Sequence, residues 1–535
     1  MPKFTFGYTS IYFFVFFLLS IFGYWAFSKR FRYIFLLVIS LLFYALMDLK
    51  SLGFICVTII SMYFCALKID KTNKDQKEYL AAHKNEMSVE EKKAYKAKNK
   101  KIRKTFLILG IIINILMLAI MKYTNFVIDN INGVISWFKT NTKLDHLNLF
   151  LPLGISFYVF QGIGYLVDVY WQKSEAEHNF LKFALFTCYF PKVMQGPLLR
   201  YDEMKEQLFA EKEFDYVQFT DGLKRALYGY MKKLVIADTL IGFINFGFAN
   251  VIELSGLESL LIIVFYFIQD YADFSGYMDI SIGLSNCYCV TLPENFNHPY
   301  FALGIDDYWR RWHSTLGQWF KDYIFYPLSI SKFSLKLGKG AKKIMPEFGK
   351  KVPAIFGLLV VWFLTGLWHG ASWNYVLWGL YFGVIIILSV IFQPLINKFY
   401  EKTNIKDKVG WKIFQHIRTL ILLAIGKTIF MSNSLTDAFK LIAQIFTYSN
   451  NYVDITNLNN QLGYISMIAA LAGAIIVFVV DLIQEIKPQT TFLEKLNKKP
   501  IYVQWPLLIA LFLIVIWLGF YGSGLPHYDF GYIQF

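Results

Sequence analysis

A single histidine in a long uncharged stretch is the residue with the clearest chemical potential in this chain. His369 lies in VVWFLTGLWHGASWNYVLWGLYFG, residues 360–383, and no Lys, Arg, Asp or Glu occurs from Val352 to Asn397. An ionisable side chain in such a segment is costly when it faces lipid. We therefore expect His369 to face a protein interior or an aqueous cavity. A functional role is favoured over the alternative, a packing hydrogen bond to a neighbouring helix.

The residues around this histidine predict a break between two membrane helices. A helix from Val352 to Trp368 would span about 25 Å at about 1.5 Å per residue, which is short of the roughly 30 Å hydrocarbon core. A glycine lies close to His369 on each side, and Ser372 is suited to cap the following helix. The sequence therefore predicts that the imidazole is presented to a cavity below the outer surface.

A second histidine lies in GIDDYWRRWHSTLGQWFKDYIFYPL, residues 304–328. At helical spacing the apolar residues form one stripe, which indicates an interfacial or re-entrant helix at the cytoplasmic side. The stripe comprises Trp309, Trp312, His313, Leu316, Trp319, Phe320 and Tyr323. A satisfied buried histidine and a site residue are equal alternatives for His313 at this point.

The charged residues of the same segment have the spacing of helical ion pairs. Asp306 and Asp307 precede Arg310 and Arg311 by four residues. These pairs are expected to anchor the helix, and the alternative is that the arginines attract a phosphorylated donor.

Three carboxylates interrupt the otherwise apolar residues 265–300, and Ser275 with the next glycine predicts a bend there. They are Asp270, Asp273 and Asp279. Buried carboxylates need hydrogen bonds or cationic partners, and we expect arginines such as Arg310 or Arg311 to supply them. Structural pairing is favoured over catalysis by paired carboxylates.

The composition indicates a polytopic membrane protein. Of 535 residues, 56% are hydrophobic and 19% aromatic, and apolar blocks recur along the chain. The first block, residues 8–27, is too long and aromatic for a cleaved signal and is expected to be a retained helix. The net charge of +15 arises from lysines between apolar blocks, which fits positive-inside topology and not nucleic-acid binding.

The distribution of basic residues predicts the topology. Residues 68–104, expected to be a basic cytoplasmic loop with a helix from Val89, and residues 332–351 are placed inside. This arrangement gives 11 to 13 transmembrane or re-entrant segments, short or bent in the middle third, and both termini outside. The block from Ile413 to Phe430 is the weakest of these segments because it contains Arg418 and Lys427.

Several other site types lack support in the sequence. The five cysteines form no CxxC pair and no metal-ligand spacing with a histidine, so neither a disulfide framework nor a metal site is expected. No Walker, dinucleotide-binding or GxSxG motif occurs, which argues against nucleotide hydrolysis and a serine-hydrolase elbow.

Six segments in order along the chain carry a resemblance to a known family. They are LPLGISFYVFQGIGYLVDVY, YFPKVMQGPLLRY, DYADFSGYMDISIGLS, LPENFNHPYFALGIDDYWRRWHSTLGQWFKDYIFYPL, TGLWHGASWNYVLWG and the terminal GYIQF. Together they resemble the membrane-bound O-acyltransferase family. Within it they are similar to the bacterial branch of alginate and other polysaccharide O-acetyltransferases, which is related to the teichoic acid D-alanyl transfer protein.

The resemblance implies an all-α, funnel-like membrane enzyme whose tunnel joins the two membrane faces. It implies one acyltransferase domain over residues 1–535, with a catalytic core at 147–393 and additional C-terminal transmembrane helices at 412–535. A thioester donor would enter from the cytoplasm and a hydroxyl acceptor from outside. The implied location is the bacterial cytoplasmic membrane.

The resemblance also implies roles for individual residues. His369 corresponds to the general base of the family, and His313 would orient the donor or stabilise the developing oxyanion. The candidate donor- or substrate-binding residues are Trp309, Arg310, Arg311, Trp312, Trp368, Asn374, Asp273 and Ser275. No bound cofactor or metal is implied.

The implied donor is acetyl-CoA or an acyl-carrier thioester, and the implied acceptor is an extracytoplasmic polysaccharide, reached directly or through a secreted partner protein. Where alginate-type members often have a Gly-Gly-Asn-Arg segment, this chain has Ser329 to Lys332 and a lysine-rich stretch, which argues against alginate as the acceptor. The alternatives are D-alanyl transfer from a carrier protein to teichoic acid and, in a different class, a transporter or flippase.

Overall fold

The expected all-helical membrane fold is confirmed. The computed structural model describes residues 6–138, 142–447, 464–488 and 491–519, and within these ranges regular structure is helical. Extended segments there form only one isolated bridge, between Phe296 and Trp312. The chain divides into two compact units, residues 1–219 with 287–291 and residues 220–286 with 292–535.

Among its described residues, the first unit contains seven complete α-helices, of which two are much longer than the rest. They are α1 (Ile11–Ala26), α2 (Arg32–Met47), α3 (Leu49–Ala82), α4 (Val89–Trp137), α5 (Ile155–Tyr170), α6 (Phe180–Cys188) and α7 (Tyr201–Phe209). In the second unit, α8 (Tyr216–Tyr230, which starts in the first range) runs through a π-helical turn (Met231–Ala237) into α9 (Asp238–Ala249), and α10 is Gly256–Asn286.

The remaining helices of the second unit begin with two short ones, α11 and α12, which flank His313. They are α11 (Ile305–Arg311), α12 (Ser314–Phe320), α13 (Tyr326–Ser329), α14 (Lys332–Lys342), α15 (Pro346–His369), α16 (Trp373–Thr403), α17 (Val409–Met431), α18 (Leu435–Gln444), α19 (Tyr464–Ile486), α20 (Phe492–Asn497) and α21 (Ile501–Leu518). A π-helical turn, Lys321–Phe325, separates α12 from α13.

Eight helical segments in the described ranges are long and apolar enough to cross a membrane. They are α2 with the short 3-10 turn before it, α3, α4, α15, α16, α17, α19 and α21. α1 is a shorter apolar helix of 16 residues. The protein is therefore a multi-pass membrane protein.

The basic segment 68–104 is mostly helical. α3 continues to Ala82, and α4 starts at Val89 as predicted, with Ser88 and Glu91 forming a reciprocal capping box. Residues 83–88 therefore form the connection between two long helices, and most of the predicted loop extends them.

Two predictions about helices of the second unit are wrong, namely the start of α15 and a bend in α10. α15 starts at Pro346, not Val352, so its 24 residues span about 36 Å. α10 continues through Ser275 without the predicted bend. Gly276 instead allows close packing, because a Cβ atom there would lie 3.0 Å from the carbonyl oxygen of Gly229. The GYIQF segment, residues 531–535, lies outside the described residues.

Candidate active site

The predicted helix break at His369 is confirmed. α15 ends at His369, and Gly370 is extended, with φ −170° and ψ 158°. The hydroxyl oxygen of Ser372 accepts a hydrogen bond from the backbone N–H of Asn374 at 3.3 Å and caps α16. The break therefore places the imidazole at the end of one apolar helix and beside the start of the next.

Close contact between α15 and α16 fixes the position of this break. At Gly366 a Cβ atom would lie 2.4 Å from the carbonyl oxygen of Tyr375. No side chain fits in that space, so only glycine allows the two backbones to approach so closely. The rigid contact lies one helical turn from the imidazole of His369 and restricts where its ring can lie.

The imidazole of His369 is enclosed by aromatic rings. Its centroid lies 4.7 Å from that of Trp368, 4.6 Å from Trp378 and 5.3 Å from Phe430, with interplanar angles of 73–86°. These edge-to-face contacts are favourable arrangements. With only 4% of its surface exposed, His369 faces a protein interior as predicted.

His369 also lines a cavity of about 20 Å³ within the second unit. The other lining residues are mostly aromatic and include one ion pair: Tyr266, Asp270, Tyr308, Trp309, Trp312, Trp378, Phe382, Leu423, Lys427 and Phe430. A space of this size holds about one water-sized group. A substrate must therefore displace or separate some of these side chains to bring its reacting atoms next to the imidazole.

The ion pair in the cavity wall joins α10 to α17. The ammonium of Lys427 donates a hydrogen bond to Oδ2 of Asp270 and lies 4.3 Å from the centroid of the Trp312 ring. The two side chains are 8% and 21% exposed. Lys427 is not among the site residues that the sequence predicts, although a charge inside an apolar helix is itself an indication of function.

The predicted continuous amphipathic helix around His313 is wrong. α11 ends at Arg311, Trp312 is extended, and His313 adopts the left-handed conformation with φ 46° and ψ 48° before α12 begins. Pairing with an upstream segment causes the break, because the backbone N–H of Asn297 donates to Arg311 O at 2.9 Å. His313 therefore lies at a turn and not within a helical stripe.

Asn295 holds this turn together and was not among the predicted site residues. Its Oδ1 accepts hydrogen bonds from the backbone N–H of Thr315 at 3.1 Å and the Thr315 hydroxyl at 2.9 Å, and lies 3.1 Å from His313 Nδ1. A left-handed non-glycine residue costs about 1–3 kcal/mol and persists only where its surroundings fix it. The sequence contains no spacing that links Asn295 to His313, so only the tertiary structure reveals this role.

The rings of both histidines contact Trp368. Its indole centroid lies 6.0 Å from the His313 ring and 4.7 Å from the His369 ring. Phe274 contacts His313 at 4.8 Å and 89°. His313 lies outside the eight spanning segments and is 3% exposed, and this burial lowers its pKa to about 3. The His313 imidazole is therefore neutral near pH 7.

The predicted tryptophans and arginines occupy different surroundings. Trp309 and Trp312 line the cavity with His369. Arg310 pairs with Asp306 at 3.1 Å and, like Arg311, with Asp307, which confirms the predicted helical ion pairs. Neither arginine lines the cavity.

All three carboxylates are paired with cationic side chains as expected, but neither Arg310 nor Arg311 is a partner. Lysines take most of the places expected for arginines: Asp270 pairs with Lys427, Asp273 with Lys233, and Asp279 with Lys232 and Arg225. The cause is a tertiary contact, because the π-helical turn Met231–Ala237 packs against α10 and carries two of these lysines. Arg310 and Arg311 instead pair with Asp306 and Asp307 of their own helix, and Arg311 also pairs with Glu485.

The last two candidates lie away from the cavity lining. Ser275 accepts a hydrogen bond from Lys232 at 3.3 Å, and the side-chain amide of Asn374 donates to Ser432 O at 2.7 Å. Neither residue is part of the cavity wall, and nor is Asp273. Of the predicted set, the structure brings His369, Trp309 and Trp312 together at the cavity, with Trp368 between the two histidines.

Comparison with known proteins identifies the family of the chain. Residues 172–436 match the model of the MBOAT, membrane-bound O-acyltransferase family. This range contains His313, His369 and Lys427. The chain is 30% identical over 470 residues to a peptidoglycan O-acetyltransferase from Helicobacter pylori, covering 82% of this chain and 78% of that protein.

Two further relatives have related activities in their names. A probable alginate O-acetylase AlgI from Pseudomonas aeruginosa is 32% identical over 67% of this chain and 63% of its own length. A teichoic acid D-alanyltransferase from Bacillus subtilis is 27% identical over 49% of this chain and 62% of its own length. The chain therefore belongs to the membrane-bound O-acyltransferase family and is a multi-pass membrane acyltransferase.

Proposed function

We propose that the chain transfers an acetyl group from cytoplasmic acetyl-CoA to a hydroxyl group of a polysaccharide outside the cytoplasm. The observation that carries this proposal is the placement of His369 at the end of α15, where it lines an aromatic cavity. Acyl transfer to a hydroxyl needs a group that accepts the hydroxyl proton, and a neutral imidazole is well suited to this near pH 7.

The relatives support acetyl as the acyl group and a cell-surface polymer as the acceptor. Peptidoglycan and alginate are both polysaccharides, and the proteins named for them are O-acetyltransferases or O-acetylases. The acceptor hydroxyl belongs either to the polymer itself or to a secreted partner protein that completes the transfer. We place D-alanyl transfer second, because the D-alanyltransferase relative matches a smaller part of this chain.

The donor would approach through the aromatic side chains that connect the two histidines. In this proposal the pantetheine arm passes Trp312, Trp309 and Trp368, and His313 orients it from the other side of Trp368. The guanidinium of Arg310 is 66% exposed, which leaves it accessible to the phosphate groups of a donor. Acetyl-CoA acts here as a substrate, and the reaction needs no bound cofactor.

The proposed location is the bacterial cytoplasmic membrane. The basic residues of 68–104 and 332–351 would lie on the cytoplasmic side, where positive charge is enriched next to apolar helices. The donor would then enter from the side that carries these segments, and both termini would lie outside.

Transfer by the purified protein tests the proposal. We expect acetyl-labelled CoA and a panel of cell-wall polysaccharides to yield free CoA and base-labile labelled ester on at least one polymer. D-Alanyl carrier protein in place of acetyl-CoA tests the second candidate. The proposal is wrong if acetyl-CoA is never cleaved while labelled substrate crosses a bilayer intact, because that result describes a transporter.

A further inference from the structure

Lys427 is an expensive residue for the helix that carries it. α17 is one of the eight helices apolar enough to cross a membrane, and the Lys427 side chain is 8% exposed. A buried ion pair contributes little net stability, because desolvation offsets most of the Coulombic attraction. Stability alone therefore does not account for a lysine at this position, and its location in the molecule is more informative.

The ammonium group lies in the wall of the same cavity as His369. Within the described part of the chain it donates one hydrogen bond, to Asp270 Oδ2. An ammonium has three N–H groups, so two remain for other acceptors. The Trp312 ring, 4.3 Å away, limits the directions in which they point. The cavity thus contains a proton acceptor and a fixed cationic donor together.

We propose that Lys427 is a further catalytic residue, which stabilises the oxyanion formed when the acceptor hydroxyl attacks the thioester. Asp270 would hold the ammonium in place and keep the resting cavity electrically neutral. The inference rests on the proposed function and assigns to Lys427 the electrostatic role that the family resemblance left open for His313. His313, which does not line this cavity, keeps the orienting role.

The acceptor oxygen forms a bond to the thioester carbonyl carbon while its proton passes to His369, and the C=O π electrons move to oxygen. The resulting oxyanion accepts a hydrogen bond from the Lys427 ammonium. The carbonyl then reforms as the C–S bond breaks, and the thiolate takes the proton from His369. The products are the ester and the free thiol, with His369 neutral and Lys427 still protonated.

The charge-neutral double variant Lys427→Met/Asp270→Asn separates catalysis from structure. It removes both charges together and keeps the apolar stem over Trp312. If Lys427 stabilises the oxyanion, kcat falls by about 10²–10³-fold, the loss typical of one oxyanion donor, while the KM for the donor changes by less than about threefold. If the pair is only structural, the neutral variant stays folded and its kcat stays within about threefold of wild type, which would overturn the inference.

Two more variants complete this test. Thr428→Val is the matched control. Thr428 is also buried on α17, and its hydroxyl donates to the backbone oxygen of Ala424 at 2.8 Å in its own helix, so kcat should be unchanged. If the double variant does not fold, Lys427→Arg and Lys427→Met are compared at equal amounts of folded protein. The inference requires arginine to retain at least about tenfold more kcat than methionine, and equal values overturn it. Failure of the wild-type protein to transfer any acyl group would instead refute the proposed function.

Discussion

Replacing His369 with glutamine is expected to lower kcat for acyl transfer by about 10²–10⁴-fold, the contribution typical of a general base. Glutamine retains polar character and fits a space of similar size, but its amide has no basic nitrogen to accept the acceptor proton. Because the α15–α16 contact at Gly366 does not involve the imidazole, the variant should remain folded. Donor consumption and ester formation, measured with equal amounts of detergent-purified protein, report the change.

His416→Gln is the matched control for this experiment. His416 also lies on an apolar helix, α17, and is partly buried, but it does not line the cavity. Its substitution should leave kcat within about twofold of wild type, as expected for a site away from the chemistry. Wild-type kcat in the His369→Gln protein, with normal folding, would exclude His369 as the base.

Asn295→Ala is expected to reduce both stability and activity, although Asn295 is proposed to touch no substrate. The change removes the acceptor of two hydrogen bonds from the half-buried Thr315, each worth about 0.5–1.5 kcal/mol of stability. The turn at His313 then loses these side-chain contacts and retains its backbone hydrogen bonds to residues 295 and 297, so the imidazole is held less tightly. A displacement of about 1 Å in a positioned group can cost about 10²-fold in rate, so a comparable fall in kcat is expected.

Thermal unfolding and kinetics of the same preparations distinguish this positioning role from simple destabilisation. kcat should remain low at temperatures where Asn295→Ala is fully folded, and the melting temperature should fall. Asn297→Ala is the control, because this exposed asparagine contributes its backbone N–H to the turn and its side chain is solvent-accessible. A variant at Asn295 with a lower melting temperature but wild-type kcat when folded would limit Asn295 to a structural role.

The site near His369 was predictable because its determinants are local in sequence. An uncharged stretch, a glycine near the histidine on each side and a serine cap are all within a few residues, and the helix break follows from them. The start of α15 was harder to predict from the sequence, because Lys350 and Lys351 are charged yet belong to the helix. The depth of His369 in the bilayer therefore depends on where these charged turns meet the surface, and not on helix length alone.

The surroundings of His313 were not predictable because they depend on contacts between distant residues. Helical periodicity placed His313 on a stripe, but pairing with residues 295–297 overrides that local preference. The partners of the carboxylates were missed for the same reason, since the lysines of a π-helical turn reach α10 from about 40 positions away in sequence. Lys427 was predictable as a site residue, because a charged side chain within an apolar membrane helix is by default a candidate for function.

A C-terminal helix supports the histidine segment from outside the region that the family model matches. α19 follows residue 436, yet Glu485 pairs with Arg311 at 2.8 Å and Asp481 accepts a hydrogen bond from Tyr271 at 2.7 Å. Gln484 lies 2.8 Å from His298 Nε2 in the segment that pairs with the turn at His313. α19 therefore contributes directly to the scaffold of the candidate site.

Sided transfer in proteoliposomes is the most direct test of the central claim, that His369 acts where a thioester from one membrane face meets a hydroxyl from the other. The protein is inserted in one orientation, verified by protease protection of residues 68–104, with acetyl-labelled CoA supplied only on the side of that segment and polysaccharide only on the opposite side. We expect labelled ester on the polysaccharide and free CoA on the donor side, and we expect both to be lost in His369→Gln. Equal ester formation by His369→Gln, or ester formed only when donor and acceptor share one side, would contradict it.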